Sequence, residues 1–190
     1  MNTDSIPKPA SERDEYKRSD ELLTIQLPAP EQVRLYAGRL KEALAEEAKT
    51  EVQAISNTIM QELAHCYNVQ APPVKILNVR PRKVTESWVS ELFGDYDPET
   101  TQIRLWMRTA VQKKATSYGT FLSTLCHEFC HHLDIASLSM PNSFHTRGFY
   151  ARTGLLYHHL QNSPIRPIVW VAQKNGTYKV DWGKTMSAKR

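Results

Sequence analysis

Cysteine is scarce in this chain of 190 residues, and the three present, Cys66, Cys126 and Cys130, form no disulfide framework. Two of them stand four apart in one apolar-striped segment, where buried small side chains in a reducing compartment are expected. Long apolar runs are also missing: none approaches the ~20 residues that a membrane span needs. The opening MNTDSIPKPASERDEYKRSDE has no apolar core of the kind that marks a secretory leader, so a cytoplasmic protein with no membrane contact is expected. Nor is one sign of charge in large excess. Lys and Arg total 24 against 20 Asp and Glu, a net charge of +4, with acidic residues interspersed nearly everywhere. That balance permits nucleic-acid contact without arguing for it. Its only support is Arg80, Arg82, Lys83, Lys113 and Lys114, and such runs are ordinarily solvated surface.

The 41% hydrophobic content is enough for one core. Residues 1–29 are polar, charged and punctuated by proline, which predicts a flexible N-terminal tail. A domain over 30–165 follows, with a helical part at 30–67 and a core at 74–165. Pro30 and Glu31 suit a helix start, and Val33, Tyr36, Leu40, Leu44, Val52, Ile55, Ile59 and Leu63 trace an apolar stripe. The polar AEEAKTE in its middle is a candidate break. VKILNV (74–79) reads as a strand. Ile103, Leu105 and Met107 alternate with Arg104, Trp106 and Arg108 in a second strand, after a turn made by Gly94 and Asp97-Pro98-Glu99-Thr100. Between the two, Trp88, Val89 and Leu92 are expected to pack inward. Asn175-Gly176 between alternating runs predicts a β-hairpin extension over 166–190. The order of helices, strands and helices is an α+β layout.

The chemistry sits in YGTFLSTLCHEFCHHLD (118–134). His127, Glu128 and His131 spell H-E-x-x-H on a helix whose apolar face is Phe121, Leu122, Leu125, Phe129 and Leu133. Residues four apart share a helix face, so His127 and His131 present two imidazoles to one point. Glu128 lies about 100° round the helix from His127, beside a metal rather than on it. Burying such groups is costly unless a ligand satisfies them. His145, fourteen residues past His131 at the mouth of the next helix, is a candidate third ligand. His158 or His159 could replace it. Three protein ligands with one open position are how catalytic zinc is held, and Glu128 is then placed as general base in amide hydrolysis. His132 points off the metal face. Asp134 either orients a ligand imidazole or solvates the helix end. Tyr118, Arg147 and Tyr150 are candidate oxyanion donors.

The segments FGDYDPETTQIRLW, HEFCHHLD and FHTRGFYARTGLL resemble the SprT-like zinc metallopeptidases, close to the minigluzincin-type zincins. Here glycine comes at Gly148, whereas in that group it often follows the third histidine directly. The resemblance implies a zincin-like α+β fold, a small mixed sheet packed on helices with the H-E-x-x-H helix carrying the active site. It implies His127, His131 and His145 as ligands to Zn²⁺, Glu128 as catalytic acid/base, and Phe149 packed behind His145. A protein or peptide substrate follows. The competing expectations are a catalytically silent zinc-stabilised binding module, in which Glu128 has no task, and a DNA-associated protease.

Overall fold

The computed structural model describes residues 1–84 and 89–187 and is an α+β fold, with six helices and a small mixed sheet among them. The chain opens with α1 (Ala10–Glu21), followed by α2 (Pro30–Ala45) and α3 (Lys49–Cys66). Strands β1 (Val74–Val79), β2 (Arg82–Val84), β3 (Val89–Glu91), β4 (Gly94–Asp97) and β5 (Gln102–Arg108) come next. Then come α4 (Tyr118–Ala136) and α5 (Arg147–Gln161), and the chain closes with β6 (Trp170–Ala172), β7 (Tyr178–Val180) and α6 (Trp182–Ser187). No helix among the described residues is long and apolar enough to cross a membrane.

Pro30 occupies the first turn of α2, where its missing N–H has no intrahelical partner to lose. The break falls inside AEEAKTE. Glu47 takes a left-handed conformation (φ 54°), and Ala48 N–H returns to the Ala43 carbonyl at 2.9 Å, closing the helix as a Schellman turn. Of the stripe of α2 and α3, Val33, Leu40, Leu44, Val52, Ile55, Ile59 and Leu63 are buried and Tyr36 is partly buried against them.

The sheet has the order β1-β5-β4, with β1 parallel and β4 antiparallel to β5. Ile103, Leu105 and Met107 face the core as their alternation requires, but Trp106 is buried too, at 8% exposure. The β4–β5 turn is made by Asp97, whose carboxylate accepts the Glu99 and Thr100 amides at 2.9 and 3.3 Å. Gly94, expected in the turn, lies within β4 instead. A Cβ there would meet Thr124 of α4 at 2.6 Å and Leu105 at 2.7 Å, so glycine lets α4 lie close over the edge strand. Within the connection 80–93, β2 and β3 pair antiparallel. Leu92, expected inside, is 42% exposed, and Trp88 and the side chain of Val89 lie outside what the structure describes.

Residues 1–29 are a correction to the expectation of a flexible tail. They carry α1, whose Tyr16 and Ser19 are buried, and Met1–Thr3 run alongside β7, with Thr3 N–H to the Tyr178 carbonyl at 2.9 Å. The helix docks through polar contacts. Asp20 pairs with Arg147 and accepts its backbone N–H at 2.9 Å, a negative charge at the N-terminus of α5. Glu15 holds Asn142 through backbone and side chain at 2.8 and 2.7 Å. Gly148 makes the approach possible, because a Cβ there would lie 2.8 and 2.9 Å from the carbonyl oxygens of Asp20 and Leu22 and nearer still to that of Ser19. Gly148→Ala is therefore expected to lift α1 off α5 at a loss of about 1–3 kcal/mol. Urea unfolding measures that loss, and limited proteolysis should show new cleavage before residue 30. Unchanged cleavage would mean that α1 does not depend on this contact.

The expected C-terminal hairpin is β6–β7, antiparallel, with Gly176 at φ 80° in its turn.

Candidate metal centre

Helix α4 is capped by Ser117, whose hydroxyl accepts the Thr120 amide, and it buries Phe121, Leu122, Leu125, Phe129 and Leu133. Its opposite side presents His127, Glu128 and His131. Helix α5 is capped by Thr146, whose hydroxyl accepts the Phe149 amide at 3.0 Å and so fixes the residue just before it, His145, at the helix mouth. The three imidazoles converge. His127 Nε2 lies 3.1 Å from His145 Nε2 and 3.2 Å from His131 Nε2. Phe149, fully buried, packs against all three rings at 4.6–5.1 Å between centroids. Tyr150 stacks on His145 at 5.9 Å.

Polar contacts at the outer nitrogens orient two of the rings. Ser143 donates to Asp134 Oδ2 at 3.0 Å, so its oxygen accepts from His131 Nδ1 at 2.8 Å, leaving the His131 Nε2 lone pair free. Asp134 receives Arg152 at 2.9 Å, and both side chains are fully buried. His145 Nδ1 lies 3.3 Å from Asp4 Oδ2, which frees its Nε2 in the same way. Two Nε2 acceptors therefore converge on His127 Nε2, which can donate to only one of them, so a lone pair is left that a cation would satisfy. Zinc–nitrogen bonds of about 2.0–2.1 Å in tetrahedral geometry place the nitrogens roughly 3.3 Å apart, close to the separations here. The donor set fits a divalent metal, and it is the one His/Cys/Asp/Glu cluster with such geometry among the described residues.

Burial, reinforced by the neighbouring His145, holds the pKa of His127 down to about 3. Burial, His127 and His145 hold His131 down to about 2. Both rings stay neutral, as metal ligands must. Burial alone would raise the Asp4 carboxyl, but the hydrogen bonds from His145 outweigh it and hold it below its ordinary value. Glu128 is 5% exposed, and burial, then the charge of Asp95, pushes its pKa up to about 8. It lines a cleft of about 530 Å³ with the three histidines, Asp4 and the β4 residues Gly94, Asp95 and Tyr96.

The other candidates lie elsewhere. His132 bridges the Tyr96 hydroxyl (3.1 Å) and the Gln70 carbonyl (2.9 Å). His158 bonds Ser163 and His159 bonds the Pro28 carbonyl, so neither is near the ligand cluster. Asp134 does not solvate the helix end but acts on His131 through Ser143. Arg147 is held by Asp20, and the Tyr150 hydroxyl donates to the Asn2 carbonyl at 3.0 Å. Neither these two nor Tyr118 lines the cleft. Arg80 is not a free surface cation. It is buried, donates to Thr116 at 2.8 Å, pairs with Glu91 and stacks on Phe93 at 3.9 Å, whereas Arg82, Lys113 and Lys114 are exposed. Asp4, Ser143, Arg152 and Tyr96 carry no local signal in the sequence, since each acquires its role from a partner distant along the chain.

No protein-family model matches the chain, and neither a curated protein nor a solved structure matches it.

Proposed function

We propose that this chain is a zinc-dependent metallopeptidase of the zincin type, similar to the SprT-like group, with His127, His131 and His145 as ligands and Glu128 as general base. The observation that carries the proposal is the convergence of three Nε2 atoms at 3.1 and 3.2 Å beside a buried glutamate in one cleft. Zinc held by His127, His131 and His145 would supply Lewis acidity and would lower the pKa of a water beside it towards about 7. Glu128 takes a proton from the attacking water and delivers it to the leaving amine. Among the described residues β4 is an edge strand of its sheet, and it lines the cleft, which favours an extended peptide pairing along that edge. A silent module has no use for a carboxyl buried at energetic cost, and Arg80 is spent on structure rather than on a nucleic acid.

The test is elemental analysis with a hydrolysis assay on an unfolded protein substrate. One equivalent of zinc is expected, with hydrolysis abolished by a chelator and restored by added zinc. His127→Ala should lose the metal. Full metal retention by that variant would overturn the ligand assignment, and zinc binding with no hydrolysis of any unfolded substrate would overturn the peptidase reading.

A further inference from the structure

We infer that the N-terminal segment is part of the metal centre, with Asp4 a positioning residue for His145 and residues 1–22 a strap that sets ligand geometry. The inference rests on a metal ion binding at His127, His131 and His145.

Asp4 and His145 are clasped by three contacts. His145 N–H donates to Asp4 Oδ2 at 2.8 Å, Asp4 N–H donates to the His145 carbonyl at 2.9 Å, and His145 Nδ1 lies 3.3 Å from the same carboxylate oxygen. The chain around Asp4 is tied down independently. Tyr16 OH donates to the Asp4 carbonyl at 3.0 Å, Tyr150 OH to the Asn2 carbonyl at 3.0 Å, and Val180 N–H to the Met1 carbonyl at 3.1 Å. A second route starts at the far end of α1. Arg152 donates to the carbonyls of Ser19 (2.9 Å) and Leu22 (2.7 Å) and grips Asp134, which accepts from Ser143, which in turn accepts from His131 Nδ1. The outer nitrogens of two of the three imidazoles are thus oriented by chains of contacts that end on residues 1–22.

The edge of the ring that Asp4 meets decides its role. A carboxylate that blocked the site would approach the Nε2 atoms where they converge. Asp4 approaches Nδ1, on the opposite edge, and braces the ring from behind. Such a carboxylate holds the imidazole in the tautomer with a free Nε2 lone pair and makes it a better ligand. Losing the strap therefore weakens metal binding and does not unmask activity. Coupling between sites is reciprocal, so metal binding must also tighten the docking of the strap.

The experiment measures zinc affinity of the full chain by competition with a chromophoric chelator, for wild type, Asp4→Ala, Asp4→Asn and the control Asp14→Asn. Asp14 is exposed on α1, so its variant removes the same charge without touching the site. Asp4→Ala is expected to bind zinc about 10–100-fold more weakly, Asp4→Asn to fall between it and wild type, and Asp14→Asn to match wild type. Hydrogen exchange at the Thr3 and Asp4 amides supplies a readout that a merely structural role would not move. Zinc should slow it in wild type and leave it unchanged in Asp4→Ala. If Asp4→Ala fails to fold, Asp4→Asn keeps the side-chain size, and wild-type affinity in that variant overturns the inference. Tight zinc binding by wild type and Asp4→Ala alike overturns the role of Asp4 and leaves the metal centre standing. No zinc binding by wild type overturns both.

Discussion

The Glu128→Gln protein is expected to keep its zinc and to hydrolyse peptide bonds roughly 10²–10⁴-fold more slowly, the range that a positioned general base contributes. Glutamine preserves the volume of a side chain that is 5% exposed but cannot take up a proton. A second consequence runs the other way. Burial and Asp95 push the Glu128 pKa from its ordinary 4.5 up to about 8. In the zinc-free protein the unfolded chain releases that proton near pH 4.5, while the folded chain holds it to about pH 8. Rising pH across this window therefore favours unfolding, because the unfolded state binds fewer protons. Glutamine removes the penalty. Zinc-free Glu128→Gln should match wild type in stability below about pH 4.5 and exceed it increasingly towards about pH 8, a window set by the cited shift. Urea unfolding at several pH values follows the gap, and metal analysis with a peptide assay follows the loss of turnover. Turnover at the wild-type rate would remove Glu128 from the reaction. A stability gap that does not widen with pH would mean that its carboxyl is not held protonated by the fold.

Arg152→Met is expected to cost about 3–5 kcal/mol, the penalty for leaving one partner of a buried ion pair without the other. For a chain of this size that corresponds to a fall in Tm on the order of 10 °C. Arg152 and Asp134 are both 0% exposed and lie 2.9 Å apart, so solvent screens neither. Burial raises the pKa of Asp134 to about 6 although Arg152 and Ser143 pull it down, which leaves the carboxylate ionised at neutral pH. The double variant Arg152→Met with Asp134→Leu should recover much of the lost stability, since apolar replacements of buried pairs are often neutral or better. It should not recover zinc affinity, because Ser143 then lacks the acceptor that makes its own oxygen available to His131 Nδ1. Thermal unfolding and chelator competition on the two variants separate these effects. If the double variant regains both stability and affinity, the route from Arg152 to His131 has no bearing on the metal.

The residues that meet at the centre differ in how far the chain alone reveals them. His127 and His131 share a face because a helix turns every 3.6 residues, and the helix itself is legible in the spacing of Phe121, Leu125, Phe129 and Leu133. Pro30, the AEEAKTE break, the β1 run and the Asn175-Gly176 turn are likewise local, since each depends on backbone preferences of neighbouring residues. α1 was hidden for the opposite reason. SERDEYKRSDE has no apolar stripe, and the helix is held by an ion pair to Arg147, hydrogen bonds to Asn142 and carbonyl contacts to Arg152, more than a hundred residues away. Gly94 shows the same limit, because turn residue and close-approach residue look alike until a helix is seen lying over the strand.

The chain by itself determined one half of the centre: two imidazoles and a carboxyl on one helix, set by a repeat that operates within a single turn. Tertiary structure decided the other half, choosing His145 over His158 and His159 by bringing it to within 3.1 Å of His127 and setting Asp4, Ser143 and Arg152 behind the rings. Those contacts join residues up to 141 positions apart through polar groups with no periodicity. Only packing of α1, α4 and α5 in three dimensions determines which polar side chain meets which.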